Sequence, residues 1–480
     1  MRYNRLYKDN NFIPLTNYTQ TLSQFVSDIK YENIPAEVIE RAKMIMLQTI
    51  GVTLAARNTS ITEKICKIAV EANGGEGGTT TVWGTGKKLS AINSALALGT
   101  MSDALDWEDC SWTGHPSAGV IPCAWIAAEE KHKSGKDLLT AIVAGYEVYQ
   151  RIAMAVQPSE KQWIKKDWGL TSWQIFAAII PIAKLYGFDA RKVDQSIGMG
   201  CECSTIPVAY HAITMSDFYH YEHGYRARDG FMVAKAVEKG IHNQRDALDE
   251  PRCYTAAICE DPDPTWFTRD LGSRWLTMET LMKHWPANMW VQTPAEIIAD
   301  MVQIHGFVPE SIESIVIDPP IIDRMWAPDE GFTSVTHAQF SVPYVIATML
   351  YHPVPGAYWY TPEMMKNPKI IDLAKRVTPG ASPSDSPMSG FDQFRSGSYP
   401  MKTITVTLKN GQVYTGSMDC HKGHPKNMMT RNEFVERFRL QASPALSGNN
   451  LEKAIDVLCN IEFAEDISNV SCLLNGESND

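Results

Sequence analysis

The stretch "TSWQIFAAIIPIAKLYG", residues 171–187, decides the fold class. Its apolar residues cover nearly all sides of a helix, which is typical of a helix buried at the centre of a helical unit. Gly187 is a residue suited to end such a helix. Helical periodicity continues on both sides of this stretch, from residue 20 to about 280. The sequence therefore predicts a large all-helical unit with this segment in its middle.

Four other segments carry the same helical pattern. Pro35 stands at a helix-opening position of the first segment, and Ser90 is a suitable N-cap for the second. The four predicted helices lie within residues 33–56, 89–106, 117–135 and 137–156.

The pattern changes after residue 280. Residues 311–320, "SIESIVIDPP", predict a strand stopped by prolines. Residues 401–418 alternate apolar and polar side chains around Asn410-Gly411, which predicts a β-hairpin. Between them, residues 338–350 and 369–377 are helical in pattern, while residues 379–400 form a long polar loop.

Together these patterns predict a mainly α protein with two domains. Residues 15–280 and 419–480 form a helical body from two chain segments, and residues 281–418 form a smaller inserted α+β lid. The cleft between such domains is a favoured place for a ligand.

Composition excludes several classes of partner. The 480 residues carry a formal net charge of −11, which argues against nucleic acid or an anionic membrane as the main partner. No window holds 18 uninterrupted apolar residues, and the first residues lack the apolar core of a signal peptide. Of the ten cysteines only Cys201 and Cys203 are close, and their C-E-C spacing is not that of a zinc site. We expect reduced thiols in a cytoplasmic protein.

The segment "ALDWEDCSWTGHPSAG", residues 104–119, combines acids with a His-Pro pair. The proline holds His115 in an extended conformation, off the preceding helix. Asp106 and Asp109 are near enough in sequence to orient the imidazole and tune its pKa, which suits general acid–base catalysis. The alternative is a capped helix end with a surface histidine.

A second polar segment, "DFYHYEHGYRARDG", spans residues 217–230. Arg226 and Arg228 could bind substrate carboxylates through bidentate pairs. His220 and His223 also allow a metal site, although no third ligand is apparent. The alternative is a solvated polar helix.

Lys283 lies in "MKHWPANMW", near the predicted junction of body and lid. It could bind a substrate carboxylate or act as a desolvated base, or it could be a surface lysine. A second His-Pro pair, in "HKGHPKN" at residues 421–427, is typical of a polar turn. Motifs for a nucleophilic serine, a phosphate loop or a metalloprotease are absent from the sequence.

Five segments, taken in order, resemble the MmgE/PrpD family over about residues 20–475. The family includes 2-methylcitrate dehydratase, cis-aconitate decarboxylase and iminodisuccinate epimerase. The resemblance implies the two domains above, a homodimer, a small carboxylate substrate, and neither metal nor organic cofactor. The segments are "IPAEVIERAKMIMLQTIGVTLAA", "ALALGTMSDALDWEDCSWTGHPSAGVIPCAWIAAEE", "MKHWPANM", "AQFSVPYVIATML" and "KGHPKN".

The resemblance also assigns site positions. Asp106 and His115 match the acid and the histidine of the first active-site loop, and Lys283 matches the lysine at the lid junction. Tyr344 matches a tyrosine that faces the site in the decarboxylases. The remaining matches are Cys110, where a threonine is common, and His223 with Gly224.

Three positions depart from the family pattern. Trp168 and Asn288 stand where the decarboxylases carry histidines, and Tyr219 stands where a lysine is usual. These exchanges suggest a substrate less charged than a tricarboxylate, or one that is larger and flatter.

The resemblance implies proton transfer at a carbon next to a carboxylate, without a cofactor. His115, tuned by Asp106, is the candidate acid or base. Lys283 with Arg226 or Arg228 would bind carboxylates, and Tyr344 or Tyr219 would move a proton on the other face. Cys110, Trp168 and His223 would line the substrate site. We expect a lyase, either a dehydratase or a decarboxylase; the alternatives are an epimerase and a non-catalytic relative.

Overall fold

The computed structural model describes residues 15–111, 114–157, 172–205, 216–243, 245–249, 254–385 and 401–476. The protein is mainly α-helical with small sheets, as the periodicity predicts. Trp168 and most of the predicted polar loop lie outside the described residues.

The helical body contains helices from both ends of the chain and a two-stranded pair, β1 (Thr80–Val82) with β2 (Lys87–Leu89). Its helices are α1 (Tyr18–Asp28), α2 (Ala36–Ala55), α3 (Ser60–Ala72), α4 (Ala91–Asp103), α5 (Ser117–Glu130), α6 (Gly135–Val156), α7 (Gln174–Leu185), α8 (Ala190–Cys203), α9 (Phe218–Glu238), α10 (Tyr254–Ile258), α16 (Arg431–Ala442), α17 (Gly448–Cys459) and α18 (Ile467–Ser471).

Helix α7 is the centre of this body. Every residue of α7 except Lys184 is buried, and the helix packs against α5, α6 and α9. Gly187 follows with a φ of 67°, a left-handed conformation that a glycine adopts without strain. The central position predicted for this segment is confirmed.

Helices α4 and α9 cross at very short range. A Cβ added at Gly224 on α9 would overlap the carbonyl of Leu96 and the hydroxyl of Thr100 on α4. Gly99 on α4 is similarly close to the Gly224 backbone. This close approach brings the C-terminal end of α4 beside the first turns of α9.

The lid consists of a four-stranded sheet and short helices. The strands are β5 (Ile312–Asp318), β6 (Val377–Pro379), β7 (Lys402–Leu408) and β8 (Val413–Met418), in the spatial order β6-β5-β7-β8. The helices are α11 (Met289–His305), α12 (Val335–Phe340), α13 (Val342–Tyr351), α14 (Pro362–Met365) and α15 (Pro368–Ala374).

Within this sheet β5 and β6 are parallel, and the other pairs are antiparallel. Ile404, Val406 and Leu408 alternate into the core from β7, and Gly411 has a φ of 85° in the hairpin turn. The predicted hairpin is confirmed.

The predicted helix over residues 338–350 is wrong in one respect, because it is two helices. Ser341 separates α12 from α13, and its hydroxyl accepts a hydrogen bond from the Tyr344 amide at 3.1 Å. Pro343 then occupies the first turn of α13, where its missing N–H costs nothing. The Ser341 cap therefore divides the apolar segment at residues 338–350, whose periodicity alone predicts one helix.

A short pairing joins body and lid beside the site. Strand β3 (Asp109–Cys110) pairs antiparallel with β4 (Leu281–Met282), which places the loop after α4 alongside Lys283. Leu105 and Trp107 pack into the apolar core of the lid. The domain boundaries near residues 280 and 418 stay a prediction. Within the described part of the chain, no helix is both long enough and apolar enough to cross a bilayer.

Candidate active site

Four parts of the chain meet in a buried cluster of charged side chains. Asp103 ends α4, and His115 lies just before α5. Tyr219 lies on the first turn of α9, and Lys283 directly follows β4. The exposed fraction of these four side chains lies between 0% and 11%, so the bulk solvent screens their charges little.

Lys283 is held by two carboxylates. Its Nζ donates to Oδ1 of Asp106 and, at 2.9 Å, to Oε1 of Glu108. Its backbone N–H also donates to the Glu108 carbonyl at 3.0 Å. Burial opposes the charge, but Asp106 and Glu108 outweigh it and raise the pKa of Lys283. The lysine is therefore a fixed ammonium.

Asp106 reaches this lysine from a strained backbone. Its φ is 49°, in the left-handed region that aspartate adopts at a cost of about 1 kcal/mol or more. The Trp107 carbonyl beside it accepts a hydrogen bond from Gln48 at 2.8 Å. The neighbouring structure thus holds the loop in a conformation that the backbone alone would not favour.

His115 is bonded at both ring nitrogens. Nδ1 contacts Oε1 of Glu108 and lies 3.0 Å from Oδ1 of Asp103, while Nε2 lies 2.7 Å from the Tyr219 hydroxyl. Burial and Lys283 lower the pKa of His115, but Asp103 and Glu108 outweigh them and raise it to about 10. At neutral pH His115 is therefore an imidazolium that donates from both nitrogens.

The two carboxylates that face His115 differ in their protonation. Burial raises the pKa of Glu108 to about 7, against the opposing effect of Lys283. Burial also acts to raise the pKa of Asp103, but His223 and His115 outweigh it and lower that pKa. Asp103 thus stays a carboxylate, and Glu108 can share a proton with its neighbours.

Tyr219 stays a neutral phenol beside this cluster. Burial, Asp106 and Asp103 all raise its pKa. Its ring packs edge-on against Phe340 of the lid at 5.2 Å. A neutral hydroxyl 2.7 Å from an imidazolium nitrogen can accept a proton there and pass its own onward.

Two family models match most of the chain. Residues 20–266 match the MmgE/PrpD N-terminal domain, and residues 285–461 match the MmgE/PrpD C-terminal domain. The chain belongs to the MmgE/PrpD family. Its similar relatives include the cis-aconitate decarboxylases of Homo sapiens and Mus musculus, at 25% and 24% identity over 97% of this chain and 96% and 94% of theirs. A cis-aconitate decarboxylase of Aspergillus terreus is 21% identical over 95% of this chain and 96% of its own.

This MmgE/PrpD chain brings together five of the residues predicted from sequence. His223 has its Nε2 3.5 Å from Oδ1 of Asp103, and burial lowers its pKa, so it is neutral. Cys110 is buried on β3 with its Sγ 3.2 Å from the Ser111 carbonyl. The five are Asp106, Cys110, His115, Tyr219 and Lys283, with His223 at the edge of the same cluster.

Sequence reasoning missed Asp103 and Glu108, and named His220 only as a metal ligand. Nδ1 of His220 lies 2.6 Å from Oδ2 of Asp103, so this histidine orients the carboxylate that faces His115. A signal was present, because "DALDWED" places four acids in seven residues between apolar helices. Such a density of buried acids requires cations nearby.

The two arginines predicted to bind substrate do not join the cluster. Arg226 pairs with Asp229 at 2.9 Å and donates to the Cys203 carbonyl, and Arg228 pairs with Asp229 at 2.8 Å. Arg226 stands seven residues beyond Tyr219, about 10 Å along the helix axis, and Arg228 projects from the opposite face. The helix carries both arginines away from the cluster, so their binding of a substrate stays a prediction that these contacts do not support.

Tyr344 does not reach the cluster either. Its hydroxyl donates to the Trp359 carbonyl, and its ring packs on Phe332 at 5.0 Å within the lid core. The predicted role of Tyr344 in proton transfer is therefore not what the structure supports. Asn288 caps α11 by accepting from the Trp290 amide, which explains a neutral side chain at that position.

The cluster also contains groups that could hold a cation. The ligand atoms of Asp103, Asp106, Glu108 and His115 lie within 4.8 Å of one another, a donor set that a divalent ion would accept. The Lys283 ammonium, however, already binds Asp106 and Glu108 at the same place. A metal would have to displace this lysine, so the expectation of no metal stays a prediction.

Proposed function

We propose that this protein is a cofactor-free decarboxylase that protonates carbon while releasing CO2 from a small tricarboxylate such as cis-aconitate. The observation that carries the proposal is the buried His115–Tyr219 pair, in which an imidazolium lies 2.7 Å from a neutral phenol. Three relatives are cis-aconitate decarboxylases, and their names support a tricarboxylate rather than the less charged or flatter substrate expected from the exchanges at Trp168, Tyr219 and Asn288.

The chemical step moves one proton and one carboxyl group. The bond between the leaving carboxylate and the saturated carbon breaks, and its electron pair forms the new double bond. The pair of the old double bond takes a proton from the Tyr219 hydroxyl, and the Tyr219 oxygen takes a proton from Nε2 of His115. CO2 leaves, and water later returns the proton to His115. An acid is needed rather than a base, and the raised pKa of His115 supplies one.

The carboxylates and Lys283 keep this acid ready. Asp103 and Glu108 stabilise the imidazolium form of His115, while Lys283 limits how far they raise its pKa. Lys283 is therefore proposed as a positioning residue, because its ammonium already donates hydrogen bonds to Asp106 and Glu108. An expected carboxylate-binding role for this lysine would require one of these bonds to break.

An epimerase finds less support. Inversion at carbon needs two proton-transfer groups on opposite faces of the substrate. His115 and Tyr219 contact each other, and Tyr344 is bonded inside the lid. A non-catalytic relative is also disfavoured. Tyr219 stands where a lysine is usual, but its hydroxyl contacts His115 and can still carry a proton. The homodimer and the cytoplasmic location stay predictions.

Proton NMR in D2O tests this proposal. The purified protein is incubated with cis-aconitate, citrate, 2-methylcitrate and an aspartate-type dicarboxylate, and the His115→Gln variant is the matched control. We expect cis-aconitate to give CO2 and a product with new methylene alkene signals and one deuterium next to a carboxylate. Deuterium entry without a change of formula would indicate an epimerase instead, and no reaction with any of the four would overturn the proposal.

A further inference from the structure

The lid contributes an arginine to the wall beside Tyr219. The guanidinium carbon of Arg324 lies 5.1 Å from the centre of the Phe340 ring, and that ring lies 5.2 Å from the ring of Tyr219. Trp326 packs on the same pair of rings and lies 5.8 Å from the guanidinium. Aromatic faces on a guanidinium fix its plane and therefore the direction of its N–H groups.

Among the described residues, the guanidinium of Arg324 has one hydrogen-bond acceptor. Nη1 donates to the Asp323 carbonyl at 2.9 Å. Nε is buried and has no partner, and within the described residues the guanidinium forms no ion pair. A buried N–H without a partner is unfavourable, and this loss is recovered when an acceptor on a ligand binds it.

Lys283 of the cluster and the two arginines further along α9 differ from Arg324 in this respect. Lys283 is bonded to Asp106 and Glu108, and Arg226 and Arg228 both pair with Asp229. Arg324 thus has the free charge that an anionic substrate needs. It also comes from the lid, whereas the carboxylates of the cluster and His115 come from the helical body.

The charge of Arg324 is close to the proposed reaction centre. Burial lowers its pKa to about 10, while Asp323, Tyr219 and Asp106 act to raise it. The guanidinium stays charged at neutral pH, and Tyr219 and Asp106 are near enough to act on it through space.

We propose that Arg324 binds a carboxylate of the substrate through its Nε–Nη2 edge and so determines that a tricarboxylate is preferred. The planar fork of arginine matches a carboxylate bidentately. A substrate held this way connects the lid to the body and places its reacting carbon against the Tyr219 hydroxyl. The inference rests on the proposed function, because it assigns the substrate class of that same site.

The test compares binding of two unreactive probes, tricarballylate and glutarate, which differ by the central carboxylate. Titration calorimetry is done on the wild type, Arg324→Gln and Arg324→Lys. The control is Arg376→Gln, which removes a lid arginine that is paired with Asp372. KM and kcat with cis-aconitate and the thermal midpoint are measured in parallel.

We expect Arg324→Gln to weaken tricarballylate binding at least about tenfold and glutarate binding less, so that the preference for three carboxylates is lost. Arg324→Lys should keep part of the affinity, since lysine supplies the charge without the fork. KM should rise more than kcat falls, and Arg376→Gln should match the wild type. A structural role alone would lower the midpoint and leave the preference intact.

Two results would overturn the inference. One is tricarballylate binding by Arg324→Gln within about twofold of the wild type. The other is a wild type that does not bind tricarballylate or does not prefer it to glutarate. If the wild type binds tricarballylate through Arg324 but releases no CO2 from cis-aconitate, the decarboxylase proposal fails and the role of Arg324 stands.

Discussion

Two buried His-Pro pairs, of the three such pairs in the sequence, have opposite electrostatics. His115 and His424 each precede a proline, and both are buried. The pKa of His115 is raised to about 10, whereas burial lowers that of His424 to about 4. The same dipeptide at similar burial therefore gives a charged histidine in one place and a neutral one in the other.

The difference comes from the carboxylates that each ring meets. His115 faces Asp103 and Glu108. Burial, together with His424 and His284, lowers the pKa of His421, the neighbour of His424, to about 3. Near His424, burial and Lys426 outweigh Asp419, which acts to raise the pKa, and Glu296 is bonded to His284 at 2.6 Å. The His-Pro motif therefore does not set the protonation state of its histidine; the charges that surround the ring do.

The second pair has a structural task beside the first. The Gly423 carbonyl accepts a hydrogen bond from the Met282 amide at 2.9 Å, directly before Lys283. Arg437 on α16 donates to the Lys283 carbonyl, also at 2.9 Å. The segment at residues 421–427 thus supports the strand that positions the lysine, without contributing a charge to the site.

The largest expected effect is the loss of turnover when the charged histidine, His115, is replaced. His115→Gln should lower turnover of cis-aconitate by at least about 100-fold, because the proton donor is removed. His424→Gln is the matched control, and we expect it to change turnover less than about tenfold. Steady-state rates per folded enzyme check both, and similar losses for the two variants would contradict the distinction.

The next effect is a loss of stability when the crossing of α4 and α9, which brings Asp103 to His220, is disrupted. Gly224→Ala places a Cβ against Leu96 and Thr100 and should destabilise the protein by about 1–3 kcal/mol or more. Urea unfolding measures this loss. On the same helix, exposed Met232 changed to Ala should stay within about 0.5 kcal/mol of the wild type. Equal losses of unfolding free energy for the two variants would show that α4 and α9 leave room for a Cβ at position 224.

The third effect is the pH dependence of stability, which should have opposite signs for His115 and His421. A histidine whose folded pKa is raised stabilises the fold fully below about pH 6.5, and this contribution is lost as pH rises towards 10. The stability that wild type has over His115→Gln should therefore shrink between those values. The folded pKa of His421 is lowered, so its contribution is present above about pH 6.5 and lost as pH falls towards 3.

His421→Gln should accordingly gain stability relative to wild type on the acid side. The slope is at most about 1.4 kcal/mol per pH unit for either histidine. Free energies of unfolding over pH check both signs, and a shared sign would refute the opposite protonation states.

The smallest effect concerns Cys110. Burial raises the pKa of its thiol, so it is not a nucleophile at neutral pH. Cys110→Thr, which places the residue common in the family, should change kcat less than about tenfold. Exposed Cys472 should react with iodoacetamide well before Cys110, as mass spectrometry of the intact protein would show. Fast labelling of Cys110 with loss of activity would contradict this account.

Local patterns predicted much of the fold but only part of the site. Helix α7 and the hairpin at Gly411 follow from periodicity and turn chemistry, which depend on neighbours in sequence. Asp106, His115 and Lys283 were found because their segments are distinctive. The contact of Tyr219 with His115 was not predicted, because it depends on how α9 crosses α4.

The differences have the same origin. Arg226 and Arg228 were expected at the site because a pair of arginines suits several carboxylates, yet one lies further along the helix and the other on its far face. Arg324 carries no motif, and only the packing of the lid brings it beside Phe340. Long-range packing and paired charges cannot be read from one sequence.

The most direct measurement is the protonation state of His115. Nitrogen-15 NMR of protein labelled at its 12 histidines is recorded at about pH 8, with His115→Gln used to assign the signal by difference. The account predicts that the signal lost in the variant is an imidazolium, protonated on both nitrogens at a pH where most histidines are neutral. A neutral ring at His115 under these conditions would contradict the proposed acid.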